Sequence, residues 1–155
     1  EICACLVGSE MCIRDREIIR KLKRPYVRYT RADEKNVRKA DCLIIDCFGL
    51  LSSIYRYGEI AYIGGGFGVG IHNTLEAAVY GIPVIFGPKY QKFQEAIQLL
   101  EAKGAFSVKD YEELKTLLDR MLTDEVFLRE SGMNASNYVT GNAGATDKIM
   151  SMINF

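Results

Sequence analysis

Apolar positions along this chain of 155 residues fall into short blocks with two rhythms. The blocks at residues 26–30, 42–46, 60–63 and 83–86 are nearly continuous, and a shorter, edge-like one lies at 105–108. Brief apolar runs bounded by Gly, Pro or charged residues suit strands buried on both faces of a parallel sheet. Between them the spacing turns helical, at residues 50–57, 75–80 and 91–103. Gly81 is placed to end the second of these helices. The third carries Phe93, Ala96, Ile97 and Leu100 on one face and is stopped by Gly104. Asp110 caps a helix reaching about Leu122, Asp124 caps another reaching about Val139, and a last helix follows Asn142. Leu114, Leu117, Leu118 and Leu122 read as a core stripe, and residues 31–39 read as a polar connection. Strands alternating with helices predict an α/β fold, a Rossmann-like parallel sheet flanked by helices with right-handed crossovers.

Ligands in such sheets sit beyond the carboxyl ends of the strands. Three loops are placed there, at residues 46–49, 64–73 and 87–91. The richest is Gly64-Gly65-Gly66-Phe67-Gly68-Val69-Gly70-Ile71-His72-Asn73-Thr74-Leu75-Glu76, which joins a strand to a helix. Backbone N–H groups are bare at such a junction and the helix dipole favours negative charge, so a phosphorylated or carboxylated ligand is expected.

Motif spacing limits which ligand. A dinucleotide fingerprint needs glycine at its first, third and sixth positions. From Gly64 the sixth position is Val69, and from Gly66 it is Ile71. The next strand ends in Gly87-Pro88 instead of the acid that would hold a ribose. No Gly-Lys-Ser/Thr follows the turn, so it is not a P-loop either.

Two side chains near the turn admit two readings each. Asn73-x-x-Glu76 is spaced as a capping box, in which the two residues serve the helix start reciprocally. Alternatively, the Glu76 carboxylate accepts the two vicinal hydroxyls of a ribose. His72, the single histidine, is either a structural residue of the turn or a group facing the bound anion.

Composition adds little about partners. Hydrophobic residues make up 48% of the chain and formal net charge is zero. Residues 14–39 carry 11 Lys/Arg against four Asp/Glu, a patch that is either a solvated face or a surface for an anionic substrate or acidic membrane. No apolar run approaches the roughly 18 residues of a membrane span. Residues 6–15 resemble a translated transposon adapter from DNA library preparation, so residues 1–16 are set aside from the fold as a non-native segment. Three of the five cysteines lie there. The other two, Cys42 and Cys47, lack CxxC spacing and a histidine partner, which points to reduced thiols and no metal.

The glycine-rich segment followed by Gly81-Ile82-Pro83-Val84-Ile85-Phe86-Gly87-Pro88 and Phe93-Gln94-Glu95-Ala96 resembles the C-terminal domain of 3-deoxy-D-manno-octulosonic acid (Kdo) transferases. The resemblance covers residues 17–155 and implies the donor-binding half of a two-domain GT-B glycosyltransferase. Those enzymes move Kdo from CMP-Kdo to lipid A precursors in lipopolysaccharide synthesis, without a metal, on the cytoplasmic face of the bacterial inner membrane. By the resemblance, Gly65, Gly66, Gly70 and the start of the helix at Asn73 would hold the CMP phosphate, and Glu76 the ribose. His72 and Asn73 would shape the turn, Phe48 and Gly49 would lie against the nucleotide, and Gly87 and Pro88 would line the pocket. No nucleic acid partner is implied.

The family usually has Gly-Glu-Leu where this chain has Gly49-Leu50-Leu51. Its acceptor domain, peripheral membrane contact, catalytic acid and Arg-His-Pro element lie N-terminal to the resembling segment. They are expected outside this chain, so no catalytic residue is assigned, and the polypeptide alone is expected to bind the donor weakly and transfer nothing. Two other readings stay open: another GT-B enzyme using a UDP-sugar, and a non-catalytic nucleotide- or anion-binding module.

Overall fold

The computed structural model describes residues 4–7, 21–144 and 150–152. The chain divides into two compact units between Ser53 and Ile54, a boundary the sequence pattern did not mark. In the first unit three parallel strands pair in the order β1-β3-β2: β1 (Ala4–Val7), β2 (Tyr26–Arg28) and β3 (Cys42–Ile45). β1 lies inside the segment set aside above, where no strand was expected. Helix α1 (Glu34–Val37) interrupts what read as a polar connection. Its cause is local: Asp33 Oδ1 accepts from the Lys35 and Asn36 N–H groups, and Asn36 Oδ1 accepts from the Asp33 N–H, all at 2.8 Å. That reciprocal box stabilises one helical turn with no apolar face to bury. Cys42 is buried in β3, where burial raises its thiol pKa, and Cys47 lies past the strand end, half-buried; both thiols are free. Helix α2 (Leu51–Ile54) and a 3-10 turn (Tyr55–Tyr57) fill the predicted helix at 50–57.

The second unit holds a parallel sheet of β4 (Ala61–Ile63), β5 (Val84–Phe86) and β6 (Ala105–Ser107), in that order, with Ala61 opposite Val84 and Val84 opposite Ala105. Central β5 is fully buried along its length, as its uninterrupted apolar sequence requires. Alternation sends Val84 and Phe86 to one face and Ile85 to the other. Helices α3 (Leu75–Ala78) and α4 (Gln94–Glu101) connect the strands and close the first face with Ala77, Ala78, Ala96 and Leu99, joined by Ala135 of α6 (Glu125–Gly141). Helix α5 (Tyr111–Thr123) covers the other face: Met121 packs with Ile85 and Val108, against Leu114, Leu117 and Leu118.

Most predicted boundaries hold within a turn, with Asp110 and Asp124 capping α5 and α6 through the Glu113 and Phe127 N–H groups. Three details differ. Leu122 is 68% exposed and Met121 takes the core position, because the α5 stripe runs 114, 117, 118, 121. Leu99, which the predicted α4 face left out, is fully buried. And the chain turns out of α4 through Lys103, two residues past its end, whose φ of 59° is left-handed; its N–H donates to Leu100 O and the Gly104 N–H to Leu99 O. Gly104 is there for packing instead: a Cβ on it would lie 2.6 Å from the Ala135 backbone. Of the helix expected after Asn142, residues 150–152 are helical and 145–149 lie outside the described residues.

Candidate nucleotide-binding turn

The turn at residues 64–73 leaves the carboxyl end of β4 and folds on itself. Gly65 O accepts from the Gly68 N–H at 2.8 Å and the Gly70 N–H at 3.3 Å, and the His72 N–H returns to Gly64 O at 3.2 Å. Gly65 has a φ of 88°, and a Cβ there would lie 2.2 Å from Gly70 O, so glycine is required twice over. The N–H groups of Phe67 and Val69, both exposed residues, have no hydrogen-bond partner among the described residues.

A second segment, residues 87–93, holds this turn in shape. Gly66 is pressed so closely on Gly87 that a Cβ on Gly66 would sit 2.5 Å from Gly87 N, and one on Gly87 would sit 2.7 Å from the Gly66 carbonyl carbon. The Lys89 N–H donates to Gly66 O at 3.0 Å. At the far side of the turn the Phe93 ring lies 2.9 Å from where a Gly70 Cβ would be. The clamping segment is itself braced by Gln91 Nε2 to Pro88 O at 2.8 Å, the Phe93 N–H to Tyr90 O at 2.8 Å, and a Phe86–Tyr90 ring contact with centroids 5.4 Å apart. Much of the glycine content therefore serves loop-on-loop packing.

The turn feeds α3, which is one turn long, so its dipole adds less to anion binding than the longer helix expected from sequence. The predicted capping box is not formed. Asn73 precedes the N-cap position by one residue, and its Oδ1 therefore accepts from the Leu75 N–H at 3.0 Å, while its Nδ2 donates to Glu76 Oε1 at 3.0 Å. The other oxygen, Oε2, has no hydrogen-bond partner among the described residues, and Glu76 is half-buried. His72 is exposed, its Cδ2 edge alongside Gly65. Thr74, at 1% exposure, has a hydroxyl without a partner among the described residues.

Gly65, Gly66, Gly70, His72, Asn73, Glu76, Gly87 and Pro88 are thus brought together in the second unit. Phe48, 86% exposed, and Gly49, with φ of 85°, form a loop after β3 that belongs to the first unit. There Asp46 accepts from the Thr30 N–H at 3.0 Å and hydroxyl at 2.8 Å. The Thr30 N–H is the chief cause of a lowered carboxyl pKa; burial, the next largest effect, opposes it, and the Thr30 hydroxyl, the Asp46 backbone N–H and the Arg28 charge add to the lowering. Sequence reasoning placed residues 87–91 in a site loop but gave Lys89 and Gln91 no role there, and it read Phe93 as part of the apolar face of the following helix and of the family-like motif, not as a brace of the turn. Their role depends on a contact between distant segments that no local signal encodes. Among the described residues no three His, Cys, Asp or Glu side chains are grouped to hold a metal, and no helix is long and apolar enough to cross a membrane.

No family model matches the chain. The chain is 42% identical over 87 residues to the 3-deoxy-D-manno-octulosonic acid transferase of Aquifex aeolicus (strain VF5), a match covering 55% of this chain and 25% of that protein. It is 32% identical over 116 residues to the transferase of the same name from Rickettsia bellii (strain RML369-C), covering 73% of this chain and 28% of the relative. The chain thus spans about a quarter of the length of the curated relatives it matches. Among solved structures, the C-terminal CMP-Kdo binding domain of WaaA from Acinetobacter baumannii shares its fold with a TM-score of 0.67 at 19% identity, covering 81% of this chain and 66% of that one. The chain is thus similar in sequence to Kdo transferases over about a quarter of their length, and it shares the fold of the C-terminal CMP-Kdo binding domain of WaaA.

Proposed function

We propose that this chain is the donor-binding part of a Kdo transferase and holds CMP-Kdo for transfer to a lipid A precursor in lipopolysaccharide synthesis. The observation that carries the reading is the clamped turn, with the Phe67 and Val69 N–H groups unpaired among the described residues, running directly into a Glu76 carboxylate whose Oε2 is unpaired among them too. Unpaired backbone donors on a braced turn suit the single phosphate of a CMP leaving group. The open oxygen of Glu76 suits the ribose hydroxyls. Positioned donors at the phosphate stabilise the charge that grows there as the glycosidic bond breaks, and the proposal needs no metal. The acceptor, the membrane contact at the cytoplasmic face of the inner membrane and the catalytic acid are assigned to the rest of the enzyme. This polypeptide by itself is expected to bind donor weakly and transfer nothing.

The test is a titration of the purified chain with CMP, UMP and NAD, followed through its amide NMR signals. CMP-selective shifts at Gly65, Gly66 and Glu76 are the expected result. Preference for UMP would reassign the chain to a glycosyltransferase using a UDP-sugar, and no response from a folded sample would overturn the reading. Kdo transfer by this exact polypeptide would refute the division of labour.

A further inference from the structure

We infer that Lys89 supplies the cation that meets the nucleotide phosphate, an inference that rests on the donor-binding reading above. Residues 64–76 and 87–93, which together build the site, contain two lysines, Lys89 and Lys92, and one acid, Glu76. Glu76 is engaged by Asn73. Lys89 alone of the two lysines is fastened to the glycine turn: its N–H donates to Gly66 O at 3.0 Å, and its carbonyl oxygen lies 4.0 Å from the Cβ position of Gly70. Its backbone is thus bonded to the turn at Gly66 and runs beside it at Gly70. The braces at Gln91, Phe93 and Tyr90 fix the segment that carries it. The side chain is exposed, and among the described residues the ion pair found is Lys109–Glu113, so the Lys89 ammonium is not committed to a carboxylate.

An unpaired ammonium on a four-carbon stem, rooted in a rigid backbone, behaves as a mobile point charge above a fixed anion site. Neutral backbone donors alone leave the phosphate charge unbalanced, and a nearby cation both balances it and makes binding salt-sensitive. The role is recognition of phosphate, separate from the nucleoside contacts assigned to Glu76.

The experiment compares Kd values of the full chain for CMP and for cytidine, at low and moderate salt, in the wild type and in Lys89→Met, Lys89→Arg, Glu76→Gln and Lys115→Met. Lys115 is exposed on α5, outside the site segments, and serves as the control. Lys89→Met is expected to weaken CMP roughly five- to tenfold at low salt, to leave cytidine unchanged and to flatten the salt dependence, with Lys89→Arg restoring most of the loss. Glu76→Gln is expected to weaken CMP and cytidine alike. If Lys89→Met leaves CMP affinity and its salt dependence intact while Glu76→Gln weakens both ligands, the role of Lys89 is refuted and the donor-binding reading stands. Equal losses for CMP and cytidine in Lys89→Met would make it a structural residue and also refute the role. Failure of the folded wild type to bind either ligand would overturn both.

Discussion

Asn73 grips Glu76 by one oxygen: its Nδ2 donates to Glu76 Oε1 at 3.0 Å while its own Oδ1 is held by the Leu75 N–H at 3.0 Å. The amide is therefore fixed at one end by backbone and orients the carboxylate at the other. Asn73→Ala is expected to weaken CMP binding roughly two- to tenfold, the range of an ordinary hydrogen bond of about 0.5–1.5 kcal/mol, because Asn73 acts on the ligand only through Glu76. Asn73→Asp sets two carboxylates side by side, which disfavours ionised Glu76, and should weaken binding further at neutral pH. Titration calorimetry on the three proteins checks the order wild type, Ala, Asp. An aspartate variant that binds like the wild type would remove Asn73 from the positioning role.

The contact between Gly66 and Gly87 explains why the turn tolerates no side chain at one glycine and accepts it at another. A Cβ on Gly66 would meet Gly87 N at 2.5 Å, backbone against backbone, whereas one on Gly68 would come no closer than 3.5 Å to Gly65 O. Gly66→Ala is expected to cost about 1–3 kcal/mol through displaced backbone. Gly68→Ala should stay within about 0.5 kcal/mol. Urea unfolding of both variants decides the matter, and equal midpoints would contradict the clamp.

What could be read from the sequence was what is encoded locally. The apolar run Val84-Ile85-Phe86, bounded by Pro83 and Gly87, specified a buried strand, and Asp110 and Asp124 marked two helix starts that the structure keeps. The glycine turn and its neighbours were legible as a site because strand, glycines and helix follow one another directly. The clamp was not, because Gly66 with Gly87 and Gly70 with Phe93 meet through the fold, and a glycine count cannot tell packing from ligand approach. The helix at Glu34–Val37 was missed for a different reason: its capping box supports it without an apolar stripe. At Asn73 a shift of one residue relative to the helix start turned a capping box into a carboxylate support.

Helical phase decides between Met121 and Leu122. Met121 is 1% exposed, packed with Ile85 and Val108, and Leu122 is 68% exposed. Met121→Ala is expected to destabilise the chain by about 2–5 kcal/mol, and Leu122→Ala to change stability by less than about 0.5 kcal/mol. Chemical denaturation of the two variants checks this. A larger loss at Leu122 would mean that α5 is rotated about its axis relative to the sheet.

Thr74 combines full burial with a hydroxyl that has no partner among the described residues, an arrangement that costs stability. Thr74→Val keeps the shape and removes the polar atom, so the melting temperature should hold or rise, by up to about 1 kcal/mol in stability. Destabilisation of more than that would show that the hydroxyl has a partner in the folded chain.

Asp46 links the carboxyl ends of β2 and β3 through Thr30, and the Thr30 N–H is the main cause of its lowered pKa. A carboxylate whose folded pKa lies below its unfolded value of about 3.9 releases its proton more readily in the folded chain. Its contribution is thus present above that unfolded value and is lost as pH falls through the folded one. Asp46→Asn removes the charge while leaving an oxygen to accept from Thr30. The wild type should therefore exceed the variant in urea midpoint from pH 7 down to about 4, and the gap should close below that. The gap will be small, since the carboxylate lies near the surface, where water screens its interactions. A gap independent of pH would assign the loss to hydrogen-bond geometry instead of charge.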